Sequence, residues 1–323
     1  MLGLPIVLRA FADAQTTGPS GGKSAAYSDP GDLYAALANQ THVTITIGGS
    51  VVAIVFADGA PGLDRDRVNT WISTSAAAVT AYFGRFPVKT VGILVIAEDG
   101  KRIRGGTTYG FAGAAIRIHV GREADARAFA KDWIMVHEMT HLALPIVPDA
   151  STWMLEGSAT YVEPIARAQA GQLSATEVWR DSLNGMPKGV PMAGDRGLDH
   201  TSTWGRTYWG GALFCLLADV KIRQATDNRN GLQDAFRAIN RASGGNSARW
   251  SMERLNKVGD GATGTRVLQA LYDEMKGAPT PVDVDALFTA LGVRFHGREV
   301  VFDDVAPLAK IRTAILEPRR SNG

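Results

Sequence analysis

The stretch His137-Glu138-Met139-Thr140-His141 constrains this chain more than any other part of it. Two histidines four positions apart on a helix are separated by about 40° around the axis, so both imidazoles project from one face. Such a pair can grip a single divalent cation at about 2.0–2.1 Å. Glu138 is offset by about 100° from His137 on the same turn. That puts it beside a cation held there, where a carboxylate can accept a proton from water. The chain has six histidines in 323 residues. At that frequency the pattern arises by accident roughly 0.003 times in a chain of this composition. The alternative reading is a surface histidine pair flanking an acid.

Two imidazoles do not complete a catalytic zinc site, which takes three protein ligands and keeps one position open. Trp153-Met154-Leu155-Glu156-Gly157 opens the next helical stretch, with Glu156 placed 15 residues beyond His141. A helix, a short turn bounded by Pro145 and Pro148, and an antiparallel helix would return Glu156 over the two histidines. His137, His141 and Glu156 are therefore the candidate metal ligands, and Glu138 is the candidate catalytic base.

These residues, with Ser158-Ala159-Thr160-Tyr161-Val162-Glu163 continuing the second helix, resemble the gluzincin metallopeptidases. The closest resemblance is to the group of aminopeptidase N and the glycyl aminopeptidases. It implies one Zn2+ per chain on His137, His141 and Glu156, a base at Glu138, and a peptide or protein substrate. The gap between His141 and Glu156 is shorter here than in aminopeptidase N, a loss that fits in the connecting turn. A second stretch, Arg206-Thr207-Tyr208-Trp209-Gly210-Gly211-Ala212, resembles the family's tyrosine, any, lysine, glycine, alanine segment, with Gly210 where lysine is usual. The resemblance makes Tyr208 a catalytic residue, the phenol that hydrogen-bonds the oxyanion. The other reading of Tyr208 is an aromatic packed against Trp204. The family's glycine, any, methionine, glutamate, asparagine motif, whose glutamate anchors a free amine, is absent from Gly105-Gly106-Thr107-Thr108-Tyr109 and its flanks. The resemblance therefore supports a peptidase, without assigning an aminopeptidase. It covers about residues 100–225.

Other features narrow the classes. With 34 basic and 32 acidic side chains the formal net charge is +2, which gives no electrostatic reason to expect nucleic acid as a partner. No stretch is long and apolar enough for a membrane-spanning helix. The single cysteine, Cys215, sits in the run Ala212–Leu217 and reads as a small buried hydrophobe. His42, His119, His200 and His296 lack ligand spacing; His200 is the one near enough to Tyr208 in sequence to watch as a pocket residue. Thr160 and Glu163, on the face of Glu156, are weaker candidates for groups that orient the ligands.

Along the chain, residues 1–31 read as a leader or disordered segment. Leu2–Leu8 followed by Ala12-Asp13-Ala14 has the outline of a clipped signal peptide, or of a floppy leader. Compartment is thus open between export to the periplasm and the cytoplasm, and the oligomeric state is unknown. Residues 32–145 are expected to form an α/β subdomain ending in the metal-binding helix, and 146–317 a helical subdomain. The pattern predicts a hairpin at 42–56, a helix over 64–83, a strand over 88–97, a glycine-rich loop over 105–113 and a strand over 115–120. One long helix over 124–143 and another over 152–170 follow, with an irregular stretch over 171–205. Later helices are expected over 208–224, 231–241, 264–275, 284–291 and 305–316, and a strand over 298–302. The expected fold class is α+β: a gluzincin-like core with a mixed N-terminal sheet packed on the motif helix and a mostly helical C-terminal part. Two competing functions remain beside a zinc peptidase: an inactive gluzincin-like binding or scaffold protein, and a zinc hydrolase of a non-peptide amide. A purely structural metal site is disfavoured by the open position next to Glu138.

Overall fold

The computed structural model describes residues 8–9 and 27–319. The leader expected over residues 1–31 lies outside the described residues, apart from a two-residue strand β1 (Leu8–Arg9) and residues 27–31, which lead into helix α1 (Pro30–Asn39). Pro30 at the first turn and the Asp29 side chain, which accepts from Gly31 N, are the start signals of that helix.

The hairpin forms as expected, from β2 (His42–Ile47) and β3 (Ser50–Phe56), with Gly48 and Gly49 at φ 55° and 84° in the turn. Helix α2 (Arg65–Phe83) starts on an Asp64 cap and ends at Gly84 in the left-handed region. Next come β4 (Thr90–Glu98), β5 (Ile103–Tyr109) and β6 (Ala115–Gly121). The six strands lie in the order β1-β5-β6-β4-β3-β2, with β3, β4 and β6 parallel and the remaining pairs antiparallel. The first part of the segment expected as a glycine-rich loop, Gly105 to Tyr109, is thus strand, and only residues 110–113 remain loop. The strand backbone is pinned by β6, with a register shift between Ile103 and Gly105. Glycine inside a strand often marks the close approach of another element, here the motif helix.

The sheet is covered on both faces. Val91, Ile93 and Val95 of β4 join the main core, whereas Leu94 faces a smaller cluster with Leu33 and Ala36 of α1. Two-sided burial is why β4 reads as a continuous apolar run.

The long helix expected over 124–143 is two helices, α3 (Ala126–Ala130) and α4 (Ile134–His141). Each has its own carboxylate at its start: Asp125 accepts from Ala128 N, and Asp132 Oδ2 accepts from Met135 N at 3.1 Å and from Trp71 Nε1 at 3.1 Å. Apolar periodicity continues through the break, but capping by Asp132 competes with helix continuation. All eight residues of α4 are buried.

Helix α5 (Thr152–Gln169) follows as expected. The stretch expected to be irregular contains α6 (Ala175–Gly185), whose Ser174 and Glu177 make a reciprocal capping box. A π-helical turn, Gly205–Gly210, leads into α7 (Gly211–Ala225). Then come α8 (Leu232–Ser243), α9 (Met252–Thr263), α10 (Val267–Met275) and α11 (Val284–Leu291), the hairpin β7 (Val293–His296) and β8 (Glu299–Phe302), and α12 (Ala309–Leu316). One core runs from Ile93 in the sheet to Phe288 in α11. Cys215 lies in it, fully buried, and burial pushes its thiol pKa up. No helix among the described residues is long and apolar enough to cross a membrane.

Helix α5 is held against α7 by two glycines. A Cβ on Gly157 would lie 2.3 Å from Gly211 Cα, and one on Gly211 would lie 2.2 Å from Trp153 O. An alanine in a helix interior ordinarily gains about 1 kcal/mol over glycine. Here overpacking reverses the sign: Gly157→Ala and Gly211→Ala should each destabilise by about 1–3 kcal/mol. Chemical denaturation of the two variants checks this, and a gain in stability would contradict it.

Candidate metal centre

His137 and His141 leave the same face of α4, and α5 brings Glu156 across them. Glu156 Oε2 lies 3.3 Å from His137 Nε2 and 3.4 Å from His141 Nε2. All three residues are buried, at 1%, 3% and 2% exposure for His137, His141 and Glu156. Among the described residues they are the group of three donors able to hold a metal ion, their ligating atoms lying within 4.8 Å of one another.

The spacing can be tested against zinc. Two donors about 2.05 Å from one ion, at a tetrahedral angle, are about 3.3 Å apart. The Glu156 separations match that value. The imidazoles also fit as ligands: His137 Nε2 and His141 Nε2, both buried, converge on the same carboxylate oxygen, Glu156 Oε2, and the weak 3.4 Å contact is the partner of His141 Nε2 there.

The electrostatics point the same way. Burial works against charge on all three groups. In His137 burial prevails and the pKa falls below its ordinary value. In His141 the Glu156 carboxylate outweighs burial and the pKa rises. Glu156 resists burial because both imidazoles face it, and its pKa is held down to about 2. A buried carboxylate between two imidazoles demands a cation, which one proton or one divalent ion can supply.

Glu138 is fully buried beside the triad, and Thr108 Oγ1 lies 2.6 Å from its Oε2. Tyr208 is carried by the π-helical turn. Its ring stacks near His137 (centroids 6.3 Å, interplanar angle 22°) and near Trp204 (6.0 Å, 28°). The ring thus packs on Trp204 and also lies beside His137 of the triad. Its phenol pKa is raised, by burial first and then by the charges of Glu156 and Glu138, so the phenol keeps its proton. Gly210, where lysine is usual in the resembling stretch, is closely surrounded, so a side chain there would need its neighbours to shift by a few tenths of an ångström. A Cβ there would meet Arg206 Nη1 at 3.1 Å, and Gly189 O and Leu198 Cδ2 at 3.2 Å.

The remaining candidates stand apart from the triad. Thr160 Oγ1 donates to Glu156 O within its own helix, and Glu163 accepts from Arg167 Nη1 at 2.8 Å. His42, His200 and His296 are exposed, and His119 lies 3.3 Å from Glu98 on the sheet. What sequence reasoning missed is the cleft. A cavity of about 1090 Å³ runs from His137 and Tyr208 along α5 past Thr160, Glu163 and Arg167, with Trp133, Trp204 and Trp209 in its walls. Its far wall is α6, which the Ser174 and Glu177 capping signal could have revealed.

The fold is shared with solved structures. An aminopeptidase N family protein from Idiomarina loihiensis matches over 79% of this chain and 49% of that one, at 15% identity and a TM-score of 0.57. An M1 zinc metallopeptidase from Deinococcus radiodurans matches over 75% of this chain, in one structure at 15% identity, 53% of that chain and a TM-score of 0.47, and in another at 16%, 54% and 0.46. The chain spans about half the length of these structures. No protein-family model matches the sequence, and no curated protein does.

Glu163 yields a pH prediction. Burial raises its pKa from the ordinary 4.5 to about 7, against the pull of Arg167 and with help from Asp132 and Asp181. The native state therefore holds this proton more tightly than the unfolded chain. The resulting stability is fully present below pH 4.5 and is lost as pH rises through about 7. Glu163→Gln stays neutral and still accepts from Arg167. Relative to it, wild type should lose up to about 3 kcal/mol between those limits. Denaturant unfolding of both proteins across this range reads the difference; a pH-independent gap would contradict the assignment.

Proposed function

We propose that this chain is a zinc-dependent peptidase with His137, His141 and Glu156 as metal ligands and Glu138 and Tyr208 as catalytic residues. The observation that carries the reading is the buried triad, whose donor separations of 3.3 and 3.4 Å suit a tetrahedral ion with one position left for solvent. The solved structure that shares the fold at a TM-score of 0.57 is described as an aminopeptidase N family protein, which supports the same reaction class.

When bound, zinc supplies Lewis acidity toward a water molecule and the scissile carbonyl. Glu138 takes a proton from the attacking water as the oxygen bonds to the carbonyl carbon. It then hands that proton to the amine nitrogen as the carbon–nitrogen bond breaks. Tyr208, kept neutral, donates a hydrogen bond to the carbonyl oxygen as negative charge builds there. A donor aimed at developing charge favours the transition state over the ground state. The cleft supports a peptide over a small amide. From Thr160 to Arg167 it follows seven helical positions, about 10 Å, or roughly three residues of extended chain.

Two variants test the roles. Glu138→Gln should lower kcat on internally quenched peptides by about 10²–10⁴-fold while keeping its zinc. Tyr208→Phe should lower kcat by about 10²–10³-fold with little change in KM. Peptides with free and with blocked N-termini should be assayed side by side, which separates exopeptidase from endopeptidase action. Retention of wild-type turnover by Glu138→Gln would refute the mechanism.

A further inference from the structure

Strand β5 touches the Glu138 side chain at two points. Gly106 and Thr108 are two positions apart, so they face the same side of the sheet, and α4 packs on that side. A Cβ on Gly106 would lie 2.3 Å from Glu138 Cγ, 2.7 Å from Cδ and 2.8 Å from Oε1. Only glycine leaves space for the carboxylate in its present position. Thr108 Oγ1 lies 2.6 Å from Glu138 Oε2 and 2.9 Å from Glu138 O. A hydroxyl has one proton to give, and the carboxylate, closer and charged, is the stronger acceptor. Thr108 is 1% exposed and Glu138 0%, so water does not compete for this contact.

We infer that Thr108 is a positioning residue for Glu138, acting with the space left at Gly106. The inference rests on the reading of Glu138 as the base. A glutamate side chain has three rotatable bonds, and α4 alone fixes only where it starts. Gly106 admits the carboxyl group into the strand face, and the Thr108 hydroxyl fixes one of its oxygens there. The carboxylate therefore stands ready beside the His137, His141 and Glu156 triad without reorganising during the reaction. Displacing a reacting group by about 1 Å can cost about 10²-fold in rate.

Thr108→Val keeps the shape and removes the donor. It should lower kcat about 10–100-fold, with KM within about twofold and zinc content unchanged, while Thr108→Ser restores kcat to within about threefold of wild type. In crystal structures the Glu138 carboxylate should be displaced or split between rotamers in Thr108→Val and stay in place in Thr108→Ser. In a Glu138→Gln background, Thr108→Val should cost little further activity, because the group it positions has gone. Wild-type kcat in Thr108→Val, or an unmoved carboxylate in its crystal structure, would overturn the inference. So would failure of Thr108→Ser to restore what Thr108→Val loses, since that marks a packing role. If Glu138→Gln itself proved fully active, the peptidase reading would fall, and the Glu138 conformation in the Thr108→Val crystal would still decide whether the hydroxyl holds the carboxylate.

Discussion

Glu156 meets His137 and His141 because α5 crosses α4 inside the protein, and this crossing organises the rest of the structure. Neither helix could bury its ionisable groups alone: an isolated buried carboxylate or imidazolium is strongly disfavoured. Brought together, the carboxylate and two imidazoles form a site that requires a cation, and burial sharpens that requirement. Helix α4 is buried on every side, with the sheet against one flank and α5 against another. The crossing is made rigid from behind, where Gly157 and Gly211 allow α5 and α7 to approach backbone to backbone.

The N-terminal sheet contributes more than a platform. Strand β5 lies next to α4, and its Gly106 and Thr108 face Glu138. The π-helical turn ahead of α7 brings Tyr208 beside His137. The groups proposed to act on the substrate thus come from β5's neighbour α4, from α5 and from the turn before α7. Each of these elements is anchored in one continuous core, which suits a site whose geometry has to be held to a fraction of an ångström.

Much of this was legible in the sequence, and the gaps have physical causes. The two histidines, their intervening glutamate and Glu156 are local patterns on helices, and helical spacing translates directly into direction. Apolar periodicity runs through Asp132 and so predicts one long helix over 124–143, whereas the Asp132 carboxylate caps the start of a new helix by accepting from Met135 N. The Gly105 to Tyr109 part of β5 reads as a loop in sequence because glycines weaken any strand signal. Only the position of Glu138, distant in sequence, shows why glycine is required at 106. The cleft depends on α6, placed beside α5 by contacts such as Trp209 against Gly185, and no local pattern encodes that pairing.

The central claim is that one zinc ion sits among His137, His141 and Glu156, and anomalous diffraction from crystals of the purified protein tests it most directly. Data collected on either side of the zinc absorption edge should show a single peak about 2.0–2.1 Å from both histidine Nε2 atoms and the Glu156 carboxylate. A protein that carries no zinc after purification and zinc supplementation, or a peak elsewhere on the molecule with the triad bare, would contradict the account.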